Sequence, residues 1–309
     1  MRNMKAFVKE SDRPDDLRFA EMPIPEPGEH ELLVRVKAVG VGIHDGYFLP
    51  RDMHYPYPIG IEAAGVVERA GDGVSAFRAG ERIAFVSMMQ PKGGTWAEYA
   101  VVSEDSLILR IPERMSFEEA AAVPVAGNTV LKALGPLQLR AGLALFIAGA
   151  SGAIGTLAIQ LAKKEGCRVA GSASAKNHAY MKSLGADFTV DYRDPGWQRQ
   201  IIGWSAGGAD AALAIQPGTA NDCLPVVRDG GRIVPVSGDQ VPSAGGVRVV
   251  PFPYQADVRS RLSDMMDDIA EGRLHLEIEQ IYPFAEGLEA LRKTQTRHAR
   301  GKLVLTMEP

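Results

Sequence analysis

The stretch Leu143-Ala144-Leu145-Phe146-Ile147-Ala148-Gly149-Ala150-Ser151-Gly152-Ala153-Ile154-Gly155 carries the clearest chemistry in the chain. An apolar strand runs into a glycine-rich turn, and the turn opens a helix with Leu157 and Leu161 at apolar spacing. Backbone N–H groups at a helix start are unpaired and carry a partial positive charge, so such a turn suits a pyrophosphate. Gly152 lets backbone approach the phosphates, and Gly155 lets the helix sit close to the strand. The strict G-x-G-x-x-G spacing has Ala150 at its first position, with Gly149 just before it. Ser151, Gly152, Ala153, Ile154 and Gly155 are therefore candidate cofactor-binding residues for a dinucleotide. The alternative is a structural glycine turn in an α/β protein of another kind.

An NAD site wants a carboxylate on the ribose 2′-hydroxyl about 20 residues further on, at the end of the second strand. Here that strand ends Gly171-Ser172-Ala173-Ser174-Ala175-Lys176, without Asp or Glu. A carboxylate repels a 2′-phosphate, whereas hydroxyls and an ammonium bind it. Ser172, Ser174 and Lys176, with Tyr192 flanking the same pocket, make NADPH the expected cofactor. A solvated lysine at a helix start is the alternative reading of Lys176. Ile215 and Ser237, at the ends of two later strands, complete this part of the candidate set.

The elements that must position these residues are legible as hydrophobic periodicity. From Pro112 onward strand and helix alternate: strands at Leu143–Ala148, Arg168–Ser172, Phe188–Asp191, Ala209–Ile215 and Arg232–Val236, and helices at Ala153–Glu165, Lys176–Leu184, Gly196–Gly203 and Thr219–Val227. Such alternation predicts right-handed βαβ crossovers and a parallel, doubly wound sheet. Ser116-Phe117-Glu118-Glu119 is a capping-box start, a helix follows from Pro124 to about Leu134, and another is expected over Asp257–Glu271. The first hundred residues differ. Met4–Lys9, Glu31–Val39, Gly65–Ala70, Arg82–Val86 and Trp96–Val102 read as short strands between Gly/Pro turns, as in a partly closed β-barrel. The tail from about Leu276 reads as strand, ending in Lys302–Thr306, and is expected to complete this first domain.

Composition excludes several classes. With 309 residues, Lys+Arg 34 and Asp+Glu 38, the net charge is −4, which argues against a nucleic-acid or anionic-membrane surface. No apolar run reaches the roughly 18 residues of a membrane span, and the start lacks a signal core, so the cytoplasm is the expected compartment. The 2 cysteines, Cys167 and Cys223, exclude a disulfide framework and a four-cysteine zinc lobe.

The chain resembles the medium-chain dehydrogenase/reductases, in their zinc-free quinone oxidoreductase-like branch. The resemblance covers nearly all of it and is carried by Pro25-Glu26-Pro27-Gly28-Glu29 to Gly42, by Pro58-Ile59-Gly60-Ile61-Glu62-Ala63-Ala64-Gly65-Val66-Val67, by Gly93-Gly94-Thr95-Trp96-Ala97-Glu98-Tyr99, by Phe117–Thr129, by Gly149–Ala162, by Ser183-Leu184-Gly185-Ala186-Asp187 to Tyr192, and by Ala299-Arg300-Gly301-Lys302-Leu303-Val304-Leu305. It implies a GroES-like catalytic domain from residues 1–115 and 276–309, a Rossmann domain over 116–275, an active site in the cleft between them, and hydride transfer. Zinc alcohol dehydrogenases resemble the chain too, but have Cys near Gly42 and His where this chain has Ile61. No metal is therefore expected, and Glu62 is read as pairing locally or bonding backbone.

The resemblance also supplies the substrate side. Val41-Gly42-Ile43-His44-Asp45-Gly46 faces the cleft in relatives, making Tyr47 the first candidate proton donor and His44 a second one, tuned by Asp45. Thr129 and Phe252 are expected at the nicotinamide, with Tyr254 beside Phe252; Met88, Met89 and Trp96 read as apolar packing. The implied substrate is a small hydrophobic quinone or α,β-unsaturated carbonyl, and a homodimer through the Rossmann sheet edge is expected. A zinc-dependent alcohol dehydrogenase and a non-catalytic NADPH-binding protein stay open as alternatives.

Overall fold

The computed structural model describes residues 2–13, 16–51, 53–87 and 89–307. The chain forms two compact units, one of Met1–Val125, Ser263–Glu271 and Ile278–Pro309, the other of Ala126–Leu262 and Gly272–Glu277. Compactness thus assigns residues 116–125 to the first unit, ten beyond the boundary read from the sequence.

The first unit is built mainly on antiparallel strands, with Ile278–Pro283 and Lys302–Thr306 its parallel pair. A seven-stranded sheet runs Ile278–Pro283, Lys302–Thr306, Glu31–Val41, Glu62–Ala70, Arg82–Val86, Ile108–Arg110, with Tyr99–Ser103 also pairing to Glu31–Val41. The terminal strand Lys302–Thr306 lies antiparallel to Glu31–Val41, so the chain end does complete this unit. A three-stranded sheet joins Leu17–Pro23, Asn3–Lys9 and Tyr57–Pro58. The core between them is aromatic: the Phe7 ring meets Trp96 edge-on at 5.6 Å and Phe284 at 5.3 Å.

Some elements differ from the sequence reading for local reasons. Trp96 does not open a strand against Glu31–Val41. Its N–H donates to Ile59 and its carbonyl accepts from Phe7, which ties it to the smaller sheet. Leu17–Pro23 went unread because one face of it is solvated and its alternation is weak. Gly287–Gln295 is a helix in a tail expected to be strand; only Gly287, Ala290 and Leu291 are buried, too short a stripe to register. Trp96 is fully buried, as expected of packing, while Met89 is exposed in a left-handed conformation, and Met88 lies outside the described residues.

The second unit is a parallel six-stranded sheet. Its order is Phe188–Val190, Arg168–Ser172, Ala144–Ala148, Ala209–Ala214, Val227–Pro235, Arg248–Val249, that is third, second, first, fourth, fifth, sixth in this sheet. This is the doubly wound order of a Rossmann fold. The strand Ala144–Ala148 is buried along its whole length, as parallel strands covered on both faces must be. One core cluster gathers Phe146, Val190, Ile201, Cys223 and Ile233, with Phe146 stacked on Trp197. Burial raises the Cys223 thiol well above its ordinary value, so it behaves as an inert hydrophobe. No helix of the described residues is long and apolar enough to cross a membrane.

An ion pair buried in the first unit links its two ends. Glu62, 1% exposed, pairs with Lys302, 6% exposed, and its other oxygen accepts the Val125 backbone N–H at 2.7 Å. The backbone bond matches the reading of Glu62, but its charged partner is remote in sequence and not local. Removing one member strands the other charge, so Lys302→Met is expected to cost roughly 3–5 kcal/mol in urea unfolding. The double variant Glu62→Gln/Lys302→Met is expected to recover much of that loss. A single-variant cost no larger than that of an exposed pair, about 1 kcal/mol or less, would contradict the burial.

Candidate active site

The carboxyl edge of the parallel sheet collects the dinucleotide candidates. Its strand order reverses at Ala144–Ala148, which has the second strand on one side and the fourth on the other. Crevices at such a switch point are where open α/β sheets take ligands. The turn after Ala148 is fixed by two bonds, from Gly149 N–H at 3.2 Å and Ala150 N–H at 3.0 Å, both to the Ser172 carbonyl. Gly149 takes the left-handed φ of +87° that the turn requires.

Tight packing explains the departure from the strict glycine spacing. Ala150 is fully buried, and a Cβ on Gly171 of the neighbouring strand would lie 2.6 Å from the Ala150 methyl. Gly171 therefore supplies the room that a glycine at position 150 would otherwise leave. A Cβ on Gly155 would lie 2.6 Å from the Ala150 backbone, so Gly155 seats the helix against the turn itself. Gly152 is the opposite case. A Cβ there would find only the Gly149 carbonyl, at 3.8 Å, and that face is open. Gly152 is also the N-cap of the helix Ala153–Lys164, which starts without a side-chain cap. Open backbone, uncapped N–H groups and a helix of 12 residues fit the pyrophosphate of a dinucleotide.

The ribose side lies one strand over. Ser172 ends the second strand and is buried; Ser174 is half-buried, and Lys176 and Tyr192 are exposed. Asn177, which the sequence did not single out, joins the two parts: its Nδ2 donates to Ser151 Oγ at 3.1 Å and to Ser174 Oγ at 3.4 Å. Nothing but a buried polar residue beside Lys176 would have signalled it. Ile215 follows the fourth strand, its N–H donating to the Ala148 carbonyl at 3.1 Å, and Ser237 follows the fifth. Phe252 lies just beyond the sixth, edge-on to Tyr254 at 4.9 Å, and the two help line a cavity of about 580 Å³ with Asp239, Gln240 and Val241. Thr129 is half-buried on the helix Pro124–Leu134 and belongs to none of these strand ends.

The first unit carries the proton-transfer candidates. His44 Nδ1 and the Tyr47 hydroxyl hydrogen-bond at 2.5 Å, with the rings edge-on and both residues exposed. Partial burial, then the charges of Arg297 and Lys302, hold the imidazole below its ordinary value, which favours its neutral form. A neutral Nδ1 can accept the Tyr47 O–H. Burial raises the Tyr47 phenol, while the Arg297 charge opposes that rise. Arg297 was not read from the sequence because it stands far along the chain, in a left-handed turn before the last strand.

Asp45 does not tune His44. Its side chain turns inward, 1% exposed, and Oδ2 accepts the Gly42 N–H at 2.7 Å and the Trp96 indole N–H at 3.0 Å. The tight turn needs a local acceptor for Gly42, and that requirement takes the carboxylate away from the imidazole. Oδ1 has no partner among the described residues, and burial pushes the carboxyl up from 3.8 to about 7, with Lys302 opposing and Glu62 adding to the shift.

Comparison with known proteins places the chain. The alcohol dehydrogenase GroES-like domain family matches residues 28–113, and the zinc-binding dehydrogenase family matches residues 184–305. A quinone oxidoreductase of Pseudomonas aeruginosa is 30% identical over 94% of this chain and 96% of its own length. The chain belongs to the medium-chain dehydrogenase/reductase superfamily, in its quinone oxidoreductase-like branch. It is an oxidoreductase, with a GroES-like and a Rossmann-like domain, and the fold implies a nicotinamide cofactor. A solved quinone oxidoreductase from Coxiella burnetii superposes with a TM-score of 0.87 at 26% identity, covering 99% of this chain and 100% of that one. A chloroplastic NADPH-dependent alkenal/one oxidoreductase of Arabidopsis thaliana is 28% identical over 91% of this chain and 73% of its own.

The donors of this oxidoreductase do not fit a catalytic zinc. Among the described residues no three His, Cys, Asp or Glu side chains are grouped to hold a metal ion. Glu62 is committed to Lys302 and Val125, Asp45 to Gly42 and Trp96, and Ile61 offers no donor.

The buried Asp45 acid has a consequence for stability. Its folded pKa lies above its unfolded one, so the native state holds an extra proton between 3.8 and about 7. That contribution is complete below the lower value and lost as pH rises through the upper one. Asp45→Asn removes the ionisation, so the variant is expected to gain thermal stability over the parent at pH 8 and little at pH 4. Parallel melting curves for the two proteins across that range measure it; a constant difference would contradict the assignment.

Proposed function

We propose that this oxidoreductase reduces quinones or α,β-unsaturated carbonyls with NADPH, without zinc. The observation that carries the cofactor reading is the loop closing the second strand, where Ser172, Ser174 and Lys176 stand and Asp and Glu do not. The names of the similar proteins, quinone oxidoreductases and an NADPH-dependent alkenal/one oxidoreductase, support both the cofactor and the acceptor class.

The bound cofactor supplies a hydride. The residues of the chain do the rest. Uncapped N–H groups at Gly152–Gly155 take the pyrophosphate, and the Ser174–Lys176 loop takes the 2′-phosphate. Ile215, Ser237, Thr129 and Phe252 form the nicotinamide end. When hydride reaches a conjugated carbon, negative charge develops on the acceptor oxygen. A conjugated acceptor spreads that charge, so a hydrogen-bond donor suffices where an isolated alcohol or ketone needs a Lewis acid. Tyr47 is that donor: in the tautomer that carries the proton on Nδ1, His44 donates to the Tyr47 oxygen and leaves the phenol proton free for the acceptor, and once Tyr47 has given it, Nδ1 returns a proton to the phenolate while Nε2 takes one from solvent. Two copies would pair along Arg248–Val249, the edge strand of the parallel sheet.

Two substitutions test this in steady-state assays against a panel of quinones, enones and enoyl thioesters. Lys176→Ala is expected to raise the KM for NADPH about tenfold and leave that for NADH unchanged. Equal responses would remove the 2′-phosphate assignment. Tyr47→Phe is expected to lower kcat about a hundredfold at nearly constant KM for NADPH; an unchanged kcat would dismiss Tyr47 as proton donor.

A further inference from the structure

A carboxylate does stand beside the ribose loop, but it comes from the third strand and not from the second. Asp191 follows the strand Phe188–Val190, and its Oδ2 accepts the backbone N–H of Ala175 at 3.1 Å. Ala175 lies between Ser174 and Lys176, so Asp191 anchors the loop assigned to the 2′-phosphate. A bare carboxylate in that position would welcome a 2′-hydroxyl and repel a 2′-phosphate.

Asp191 is not bare. Arg193 folds back on it with three bonds: backbone N–H to Oδ1 at 3.0 Å, Nε to Oδ1 at 2.9 Å and Nη2 to Oδ2 at 2.7 Å. This is a bidentate guanidinium–carboxylate pair, the strongest form of such a contact. The Arg193 bonds hold the Asp191 carboxyl well below the usual carboxylate range, so it stays ionised throughout any working pH. The Arg193 side chain remains 61% exposed, and its guanidinium stands 5.8 Å from the centre of the Tyr192 ring.

We propose that the Asp191–Arg193 pair sets the preference for a 2′-phosphorylated ribose: Asp191 fixes the loop through Ala175, and Arg193 cancels its charge so that the phosphate is not repelled. The proposal rests on the NADPH reading of the same loop and deepens it. With the pair intact, Lys176 is the net charge facing the ligand. Without Arg193, the Asp191 carboxylate offsets Lys176, and the selectivity of the pocket inverts or vanishes.

Calorimetric titration of the full chain with 2′,5′-ADP and with 5′-AMP tests this without turnover, with thermal melts confirming that each variant is folded. The parent is expected to bind 2′,5′-ADP more tightly. Arg193→Ala is expected to lose about tenfold for 2′,5′-ADP and nothing for 5′-AMP. Asp191→Asn in the Arg193→Ala background is expected to restore most of the loss, because the amide still accepts from Ala175 and carries no charge. Equal losses for both probes would make the pair a structural brace only, and failure of the double variant to recover would refute charge cancellation; either overturns the proposal. A parent without preference for 2′,5′-ADP would overturn the NADPH reading and the proposal together. A parent with that preference, retained in full by Arg193→Ala, would overturn the proposal alone.

Discussion

One residue governs the dinucleotide edge. Ala150 occupies the place of a glycine: its Cβ fits because Gly171 has none, and its backbone admits the helix because Gly155 has none. Interiors are packed to crystal density, so such a three-way contact leaves no slack. It sets the distance from the first strand to the second and from the turn to its helix. The Ser172 carbonyl, the Gly152 face and the start of the helix Ala153–Lys164 are all placed through it. A fingerprint that looks defective as a string of letters is thus complete as a set of volumes, with the missing glycine displaced onto the neighbouring strand.

The first unit is organised by charge in a place where charge is costly. Glu62, Lys302 and Asp45 are all buried, and the shift of Asp45 responds to both of the others. Two carboxyls and one ammonium cannot all ionise cheaply in a low-dielectric interior. Glu62 has the ion pair and a backbone donor, whereas Asp45 has one satisfied oxygen and one without a partner among the described residues. The less favoured group is the one pushed up to about 7, and below that pH it holds its proton. The cluster thereby stays close to neutral, and the turn carrying His44 and Tyr47 is fixed from beneath by hydrogen bonds that do not depend on an ion.

Much of this was legible in the sequence, and what was not follows a physical pattern. Strands buried on both faces, such as Ala144–Ala148, and the alternation of strand with helix stand out because their apolar periods are long and unbroken. The tail strand Lys302–Thr306 was readable for the same reason. Elements with one solvated face or a three-residue stripe, such as Leu17–Pro23 and Gly287–Gln295, carry too little periodicity to be seen. For the candidate site, Ser172, Ser174 and Lys176 are proposed from the sequence because they sit at a fixed offset from the glycine turn. Asn177 and Arg297 could not, because their roles come from side-chain direction and from contacts remote in sequence. Asp45 shows the converse. Its neighbour His44 suggested a catalytic pair, but the nearest unsatisfied donor was the Gly42 N–H, and local satisfaction of backbone outweighed proximity along the chain.

The same competition between charges underlies the proposal that this chain works without a metal. A Lewis acid is needed when an alkoxide must form on an isolated oxygen, and its ligands must be free to reach it. Here the acidic groups in the relevant segment are already spent on internal partners, with Glu62 on an ammonium and a helix start and Asp45 on a turn and an indole. At the surface of that unit stands an imidazole, biased toward its neutral form, hydrogen-bonded to a phenol. Such a pair can lend a proton but cannot polarise a carbinol. Under the proposed function it suits acceptors whose own conjugation carries the incoming charge, and that chemical limit would tie the packing of the first unit to a choice of quinones and enones.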